Sequence, residues 1–316
     1  MKLIIQIPCL NEAESLPKTL ADLPRSIKGI DTIETLVIDD GSIDNTSEVA
    51  RAHGVNHVIR LTKRKGLARA FAIGLDASLK RGADIIVNTD ADGQYKGEDI
   101  PRLLQPILEG KADITIGNRD IENVAQFSWL KKRLQRLGTW VVRQLSGSKI
   151  EDATTGFRAY SREAALHLNI ISDYTYTLES IIQAENKNLA IANITITTNE
   201  VKRKSRLFKS TPEYLKRSIV TIIRVYSMFN PFRLFINLGS ALVLIAFLIG
   251  CRFLYYYLLT GGEGKIQSLI LAAILTIIGF QLLVIGIVSD LIAANRRLLE
   301  DALYRIKKIE LAKKEK

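Results

Sequence analysis

Two long runs of uncharged residues near the end of the chain restrict its folds more than any other feature. Residues 234–251 contain no charged side chain over 18 positions, and residues 266–289 contain none over 24. At a rise of about 1.5 Å per residue, the second run forms a helix of roughly 36 Å, enough to cross a hydrocarbon core of about 30 Å. We therefore predict two transmembrane helices, at 233–259 and 266–294.

Basic residues are concentrated on both sides of these runs. Lys and Arg outnumber Asp and Glu by 18 to 9 in residues 121–233 and by 8 to 4 in residues 296–316, whereas residues 234–295 carry two of each kind. Positively charged segments next to membrane helices stay on the cytoplasmic side. We expect a multi-pass protein of the cell (inner) membrane with both termini and its soluble part in the cytoplasm. Although the net charge is +11, this order of charges favours a membrane over a nucleic acid as the partner.

The segment before the first run has its own pattern. Its apolar side chains recur at helical spacing, and Lys216, Arg217 and Arg224 lie off the apolar stripe. This pattern predicts an amphipathic helix on an anionic lipid surface, although a helix packed on the soluble domain fits it equally well. The predicted organisation is a soluble domain at 1–210, an interfacial amphipathic helix at 211–232, transmembrane helices at 233–259 and 266–294, and a basic cytoplasmic tail at 295–316.

Strand and helix patterns alternate in the soluble region. Short β-branched runs occur at 3–7, 33–38, 57–61, 84–88 and 113–116, with helical patterns between them at 13–24, 44–53, 66–81 and 98–109. This rhythm predicts an α/β domain with a mostly parallel sheet and helices on both faces. No Gly-x-Gly-x-x-Gly or Gly-Lys-Ser/Thr loop follows a strand, which disfavours dinucleotide-binding dehydrogenases and P-loop NTPases.

Acidic residues follow two of these strands. Asp39 and Asp40 come after the second strand, and Asp90 and Asp92 come after the strand at 84–88. Ligands of such sheets bind beyond the carboxyl ends of the strands, and carboxylates gathered there cannot all stay ionised without a counter-charge. Oxygen ligands suit Mg²⁺ or Mn²⁺, which bridge carboxylates to phosphates. Each acidic motif alone is also typical of a solvated turn, so the prediction of a metal site rests on their joint placement.

Five short motifs follow one another along the soluble region. They are Pro8-Cys9-Leu10-Asn11-Glu12, Asp39-Asp40-Gly41-Ser42, Asp90-Ala91-Asp92-Gly93-Gln94, Gly117-Asn118-Arg119 and Thr155-Gly156-Phe157-Arg158. Their order resembles the family-2 glycosyltransferases, most of all the polyprenyl-phosphate (dolichol-phosphate mannose synthase-like) branch whose bacterial members carry two C-terminal transmembrane helices. The resemblance covers residue 1 to about residue 210. It implies a GT-A (Rossmann-like) fold and the inverting, metal-dependent transfer of a hexose from a UDP- or GDP-linked sugar to a polyprenyl phosphate on the cytoplasmic leaflet.

The resemblance also implies roles for individual residues. The nucleotide sugar would be bound by Pro8, Leu10, Glu12, Asp39, Asp40, Asp90, Ala91, Asp92 and Gln94, with Asp90 and Asp92 as metal ligands. The acceptor phosphate would be met by Arg119, Arg133, Arg136, Arg203 and Arg206. The candidate catalytic residues are Asp92, Arg119 and Asp152, where Asp152 orients the acceptor or acts as a base if the acceptor is a hydroxyl.

The chemistry of a phosphate acceptor can be argued independently. A phosphate monoester has a second pKa near about 6, so its oxygen is largely ionised at neutral pH and needs no strong general base. Two further interpretations stay open: a membrane-anchored family-2 enzyme acting on a hydroxyl or a glycerolipid, and a catalytically silent membrane scaffold on the same fold. Small residues at Gly239, Ser240 and Gly250 would permit close helix packing, which leaves a homo-oligomer open.

Overall fold

The computed structural model describes residues 1–119, 139, 140, 143, 150–171, 176–199, 220, 227, 231–261 and 266–314. The chain forms two compact units, one of residues 1–222 with 303–316 and one of residues 223–302. The predicted interfacial helix at 211–232 lies almost entirely outside the described residues, so it stays a prediction.

The first unit contains seven strands and six helices of its own within the described residues. The strands are β1 (Lys2–Cys9), β2 (Thr32–Asp39), β3 (His57–Arg60), β4 (Ile85–Asn88), β5 (Ile114–Arg119), β6 (Arg158–Ser161) and β7 (Ile191–Ile196). The helices are α1 (Leu16–Ala21), α2 (Thr46–Ala52), α3 (Leu67–Leu79), α4 (Ile100–Leu108), α5 (Arg162–His167) and α6 (Thr177–Asn186). The five predicted strands and four predicted helices are confirmed to within a few residues at each end.

All the strands form one sheet in the order β3-β2-β1-β4-β6-β5-β7. The pairs β1–β2, β1–β4, β2–β3 and β5–β7 are parallel, and β6 alone is antiparallel to both of its neighbours. This confirms the mostly parallel sheet. Because β6 runs backwards, its first residue, Arg158, pairs with the last residue of β4, Asn88. The segment before β6 therefore lies at the carboxyl edge of the sheet.

The sheet is covered on both faces, as the alternation of strands and helices predicts. Successive side chains of a strand point to opposite faces, and β1 shows this directly. Leu3 and Ile5 belong to one buried cluster, together with residues of α1 and α4, whereas Ile4 belongs to a second cluster with residues of α3, α5 and α6. Burial of these apolar side chains is the main stabilising contribution to the domain.

The second unit consists of two long apolar helices, α7 (Pro231–Thr260) and most of α8 (Ile266–Lys314). Both are long and apolar enough to span a membrane. Their large apolar side chains are exposed, for example Phe247 at 65% and Phe280 at 64%, which is unlike a helix in the core of a soluble protein. A Cβ atom on Gly239 would lie 2.8 Å from the carbonyl oxygen of Gly279, so α7 and α8 touch backbone to backbone at these glycines. Gly250, in contrast, faces open space.

The predicted basic tail forms the end of α8. We predicted a transmembrane helix at 266–294 and a basic cytoplasmic tail at 295–316; α8 is one helix from Ile266 to Lys314, and residues from Leu303 onward belong to the first unit. Leu311 is buried in the cluster of α3 and α5. The ring of Tyr304 stacks on His167 with centroids 4.1 Å apart, and Lys307 donates to Asn169 Oδ1 over 2.8 Å. These three residues of α8 recur at i, i+3 and i+7, one face of a helix, and their contacts explain why the helix continues.

Candidate active site

The first motif is bonded to the second at the carboxyl ends of β1 and β2. Asn11 adopts a left-handed backbone with φ of 56°, a conformation that Asn tolerates better than most residues. Its backbone N–H donates to Ser42 Oγ over 2.9 Å, and its side-chain oxygen accepts from the N–H of Ile43 over 2.9 Å. These two bonds hold the loop after β1 against the turn after β2.

The other predicted residues of the first motif surround this loop. Pro8 is buried in β1, whereas Leu10 and Glu12 are partly exposed at the edge of the sheet. The backbone N–H of Glu12 donates to Thr46 Oγ1 over 2.9 Å, and its carboxylate accepts from Ser15 Oγ over 2.5 Å. Glu12 thus offers a fixed, partly exposed carboxylate beside the place where β1 ends.

Asp39 and Asp40 are both buried, and their carboxylates are bonded to the protein. Asp39 accepts from the N–H of Ser42 over 2.8 Å and from Ser47 Oγ over 2.5 Å. Asp40 accepts from the N–H groups of Lys65 and Gly66, over 2.6 Å and 2.8 Å. The two side chains therefore shape the turns that form the edge of the site, and their predicted contact with the nucleotide stays a prediction.

The acidic turn after β4 carries Asp90, Ala91, Asp92 and Gln94. Asp92 Oδ1 accepts from the N–H of Gln94 over 3.0 Å. Ala91 is buried, and its carbonyl accepts from Thr19 Oγ1 on α1 over 3.1 Å. These two bonds fix the conformation of the turn, in which Asp92 and Gln94 are partly exposed.

Asp90 has an unusual protonation equilibrium. Burial, the neighbouring charge of Asp92 and the charge of Glu12 raise the pKa of Asp90 to about 7, although the Arg119 guanidinium opposes them. A bound divalent cation would remove this cost, so the pair Asp90 and Asp92 fits a metal site. No group of three or more His, Cys, Asp or Glu side chains placed to hold a metal occurs in the described part of the chain. Of the described residues, Asp90 and Asp92 are the pair that would hold such a cation.

The antiparallel strand β6 brings the fifth motif beside the third. A Cβ atom on Gly156 would lie 3.0 Å and 3.1 Å from the two carboxylate oxygens of Asp90 and 2.8 Å from the hydroxyl of Tyr176. A side chain at this position would therefore displace its neighbours. Glycine at residue 156 lets the backbone form the wall against which the Asp90 carboxylate lies.

Arg119, at the end of β5, forms a buried ion pair with Asp152. Its Nε and Nη2 donate to the two carboxylate oxygens over 2.7 Å and 3.2 Å, and Nη2 also donates to Thr154 Oγ1 over 2.7 Å. Burial would raise the pKa of Asp152, but the Arg119 charge and the hydrogen bonds with Thr154 hold it below its ordinary value. Burial would likewise lower the pKa of Arg119, yet Tyr95, Asp152 and Asp90 raise it.

The structure thus gathers all three candidate catalytic residues at one edge of the sheet. Asp90, Asp92, Arg119 and Asp152 come together there, with Glu12 close enough to influence Asp90. The sequence interpretation missed Tyr95, whose buried hydroxyl lies between the third and fifth motifs; its position directly after Gln94 was the available signal. The remaining predicted acceptor-binding residues, Arg133, Arg136, Arg203 and Arg206, lie outside the described residues.

Comparisons with known sequences identify the family of this chain. The family model "Glycosyl transferase family 2" matches residues 4–168. An undecaprenyl-phosphate mannosyltransferase of Micrococcus luteus is 29% identical over 232 residues, covering 71% of this chain and 93% of that protein. A polyprenol monophosphomannose synthase of Mycolicibacterium smegmatis is 30% identical over 208 residues, covering 62% of this chain and 77% of that protein.

Solved structures agree on the fold. Glucosyl-3-phosphoglycerate synthase of Mycobacterium tuberculosis, crystallised with Mn²⁺, UDP and glucosyl-3-phosphoglycerate, superposes with a TM-score of 0.57. The alignment has 20% sequence identity and covers 72% of this chain and 78% of that one. The match confirms the GT-A fold of the sheet domain. With the family model covering most of that domain, this chain belongs to glycosyl transferase family 2.

Proposed function

We propose that this chain transfers a hexose from a UDP- or GDP-linked sugar to a polyprenyl phosphate at the cytoplasmic face of the membrane. A phosphate oxygen of the lipid forms a bond to the anomeric carbon of the sugar. The bond from that carbon to the diphosphate breaks, and the nucleoside diphosphate leaves. Attack from the face opposite the leaving group inverts the anomeric centre.

The observation that carries this proposal is the position of the buried Arg119 guanidinium near the carboxylates of Asp90 and Asp92. Asp90 and Asp92 would hold Mg²⁺ or Mn²⁺ against the diphosphate of the donor. When bound, such a cation stabilises the negative charge that develops on the leaving diphosphate. Arg119 lies within electrostatic reach of Asp90, so one site can accommodate two anionic substrates.

Arg119 is suited to bind the acceptor phosphate. Asp152 and Thr154 occupy its Nε and Nη2, and within the described part of the chain Nη1 has no hydrogen-bond partner. Arg119 as a whole is only 6% exposed, and its raised pKa keeps the guanidinium charged. A preorganised buried charge stabilises an anion more strongly than a solvated one does, because little solvent or side-chain reorganisation is needed.

The state of Asp152 favours a phosphate over a hydroxyl as the acceptor. Both its oxygens accept hydrogen bonds from Arg119, and its pKa is lowered. A carboxylate held in this way is a weak base at neutral pH, whereas a hydroxyl acceptor needs a base. A lipid phosphate brings its own ionised oxygen, so Asp152 is left to orient Arg119.

The relatives and the apolar helices support a lipid acceptor. The two relatives described above are named for mannosyl transfer to polyprenyl phosphates. Two helices long and apolar enough to span a membrane follow the sheet domain, and a membrane anchor would keep the enzyme where its lipid acceptor is dissolved. We propose mannose as the first sugar to test, because both relatives carry it in their names.

The test is a transfer assay with the full chain in membranes or detergent. Radiolabelled UDP- and GDP-hexoses are supplied with Mn²⁺, using either undecaprenyl phosphate or the unphosphorylated undecaprenol as acceptor. We expect label in a mild-acid-labile lipid only with the phosphate, and a loss of about a hundredfold or more in Asp92→Asn.

The other interpretations predict different results in the same assay. Transfer to undecaprenol or to diacylglycerol, with none to the phosphate, would replace the acceptor that we propose. A chain that neither transfers sugar nor binds a nucleotide with any divalent metal would be a scaffold. Nucleotide binding without transfer to any of these lipids would contradict the proposed acceptor and retain the donor site.

A further inference from the structure

Tyr95 places a buried hydroxyl between the acidic turn and the segment before β6. Its ring is 5% exposed and stacks on Phe157 with centroids 5.0 Å apart. Its hydroxyl accepts from the N–H of Gly156 over 3.1 Å and contacts Thr155 Oγ1 over 3.3 Å. Burial raises the pKa of Tyr95 to about 12, so the hydroxyl keeps its proton at neutral pH.

The segment held by this hydroxyl, residues 152–156, touches the site at both ends. Its last residue, Gly156, forms the wall against the Asp90 carboxylate. Its first residue, Asp152, pairs with Arg119, and Thr154 adds a hydrogen bond to the same guanidinium. The segment 152–156 therefore contacts both charged groups that the proposed reaction uses, the carboxylate of Asp90 and the guanidinium of Arg119.

Two strand residues, Asn88 of β4 and Arg158 of β6, also hydrogen-bond this segment. Arg158 donates to the carbonyl oxygens of Ala153 and Thr155, over 3.0 Å and 2.9 Å. Asn88 donates to the carbonyl oxygen of Gly156 over 2.8 Å. Within the segment 152–156, Arg158 and Asn88 bind carbonyl groups. Among the described residues Tyr95 binds the N–H of Gly156, at the point where the segment meets Asp90.

We propose that Tyr95 is a positioning residue, whose hydroxyl sets the distance between the metal-binding Asp90 and the phosphate-binding Arg119 by fixing the segment 152–156. The inference rests on the proposed function, because it assigns the metal to Asp90 and the phosphate to Arg119. The alternative is that Tyr95 is a core residue whose hydroxyl merely finds a partner. In that case its removal lowers stability and leaves metal binding unchanged.

The test compares two tyrosines that each lose one buried hydroxyl. Tyr160, on β6, is fully buried, and its hydroxyl makes no hydrogen bond to the segment 152–156. Tyr95→Phe and Tyr160→Phe are prepared in the full chain, and the free Mn²⁺ in equilibrium with each protein is measured by electron paramagnetic resonance. The measurement is made with UDP and again with GDP, without any acceptor.

We expect Tyr95→Phe to weaken Mn²⁺ binding by about tenfold, in the range found when a residue supporting a metal ligand is removed. In turnover assays, kcat is expected to fall while the KM for the donor changes little. Tyr160→Phe is expected to bind Mn²⁺ like the wild type. The inference is overturned if the two variants bind Mn²⁺ equally well, whatever their melting temperatures.

A second pair of variants covers the case in which Tyr95→Phe folds poorly. Thr155→Ser keeps the hydroxyl that reaches Tyr95, whereas Thr155→Val removes it at similar volume. We expect Thr155→Ser to retain Mn²⁺ affinity and Thr155→Val to lose it, and equal affinities would contradict the inference. Because Mn²⁺ binding is measured without a lipid, the result does not depend on whether polyprenyl phosphate is the acceptor.

Discussion

The guanidinium of Arg119 binds the carboxylate of Asp152 through two hydrogen bonds, from Nε to Oδ2 over 2.7 Å and from Nη2 to Oδ1 over 3.2 Å. A pair of this geometry is both strong and directional. It fixes the plane of the guanidinium and leaves one edge for another anion. The two residues that we predicted as candidate catalytic groups thus form one ion pair.

The first prediction concerns this pair. Asp152→Asn keeps the shape of the side chain and removes its charge, so the buried Arg119 loses its hydrogen-bonded counter-ion. Breaking a buried pair in this way costs about 3–5 kcal/mol of unfolding free energy. We expect a loss of that order in urea denaturation at pH 7, together with a KM for the acceptor raised about tenfold and a nearly unchanged KM for the donor.

The pH dependence of this loss separates positioning from base catalysis. The pKa of Asp152 is lowered in the folded state, so its stabilising contribution is present above the unfolded pKa of about 4 and disappears as pH falls through the folded value. The stability difference between wild type and Asp152→Asn is therefore expected to be constant from pH 5 to 8 and to shrink below about pH 4. Loss of the acidic limb of the pH–rate profile in the variant would instead identify Asp152 as a base.

A second prediction follows from the raised pKa of Asp90. Because this pKa is about 7 without metal, protons compete with the cation near neutral pH. The apparent affinity for Mn²⁺ is expected to fall about tenfold for each pH unit below 7 and to level off above it. Without metal, Asp90 favours its protonated form, so its contribution to stability is full below the unfolded pKa of about 4 and is lost as pH rises to 7.

Asp92→Asn provides the control for this pH dependence. The charge of Asp92 raises the pKa of Asp90, so its removal lowers that pKa. The pH midpoint of the remaining Mn²⁺ binding should move to lower pH, although the affinity itself is weaker. The pH midpoint of Mn²⁺ binding is measured by titration calorimetry. An unchanged midpoint in Asp92→Asn would mean that a group other than Asp90 controls the binding.

A third prediction concerns the wall beside Asp90. Gly156→Ala would place a methyl group 3.0 Å and 3.1 Å from the Asp90 oxygens and 2.8 Å from the Tyr176 hydroxyl. The Tyr176 hydroxyl must move, and the carboxylate must shift by a few tenths of an ångström. A displacement of about 1 Å at a reacting centre costs roughly a hundredfold in rate, so for this smaller shift we expect kcat to fall by about tenfold while circular dichroism shows a retained fold. Gly250→Ala, at a position with open space around it, should behave like the wild type.

A fourth prediction tests the packing of the C-terminal end of α8. Leu311 is 6% exposed and belongs to the core of the sheet domain, whereas Ile309, two residues earlier, is 58% exposed. Leu311→Ala should lower the unfolding free energy of the domain by about 2–5 kcal/mol. Ile309→Ala should change it by less than about 0.5 kcal/mol. Equal melting temperatures for the two variants would show that the helix end does not pack on the domain in solution.

Much of the sheet could be predicted from local patterns. The runs that became β1 to β5 alternate with helical patterns, and this order requires parallel strands with helices between them. The acidic residues could be placed at the carboxyl edge because Asp39 and Asp90 follow such runs within two residues. The two apolar helices could also be predicted from the sequence, since an uncharged apolar stretch of that length is typical of a membrane-spanning helix.

The remaining features depend on contacts between distant parts of the chain. Strand β6 has only four residues, Arg158–Ser161, and is recognisable only when it pairs between β4 and β5. Asp40 accepts hydrogen bonds from the N–H groups of Lys65 and Gly66. A local turn motif does not predict these bonds, because the partners lie about 25 residues away in the sequence. The continuation of α8 depends on Leu311 finding a core that lies more than a hundred residues earlier.

The division of the chain into units has a consequence for biosynthesis. The sheet domain is discontinuous, because its last element is translated after both apolar helices. A ribosome that has released the sheet domain has therefore not yet made Leu311 and the other residues that complete its core. In the sequence, the two apolar helices are inserted within the first unit rather than appended to it, so this unit can be completed only after both helices have been synthesised.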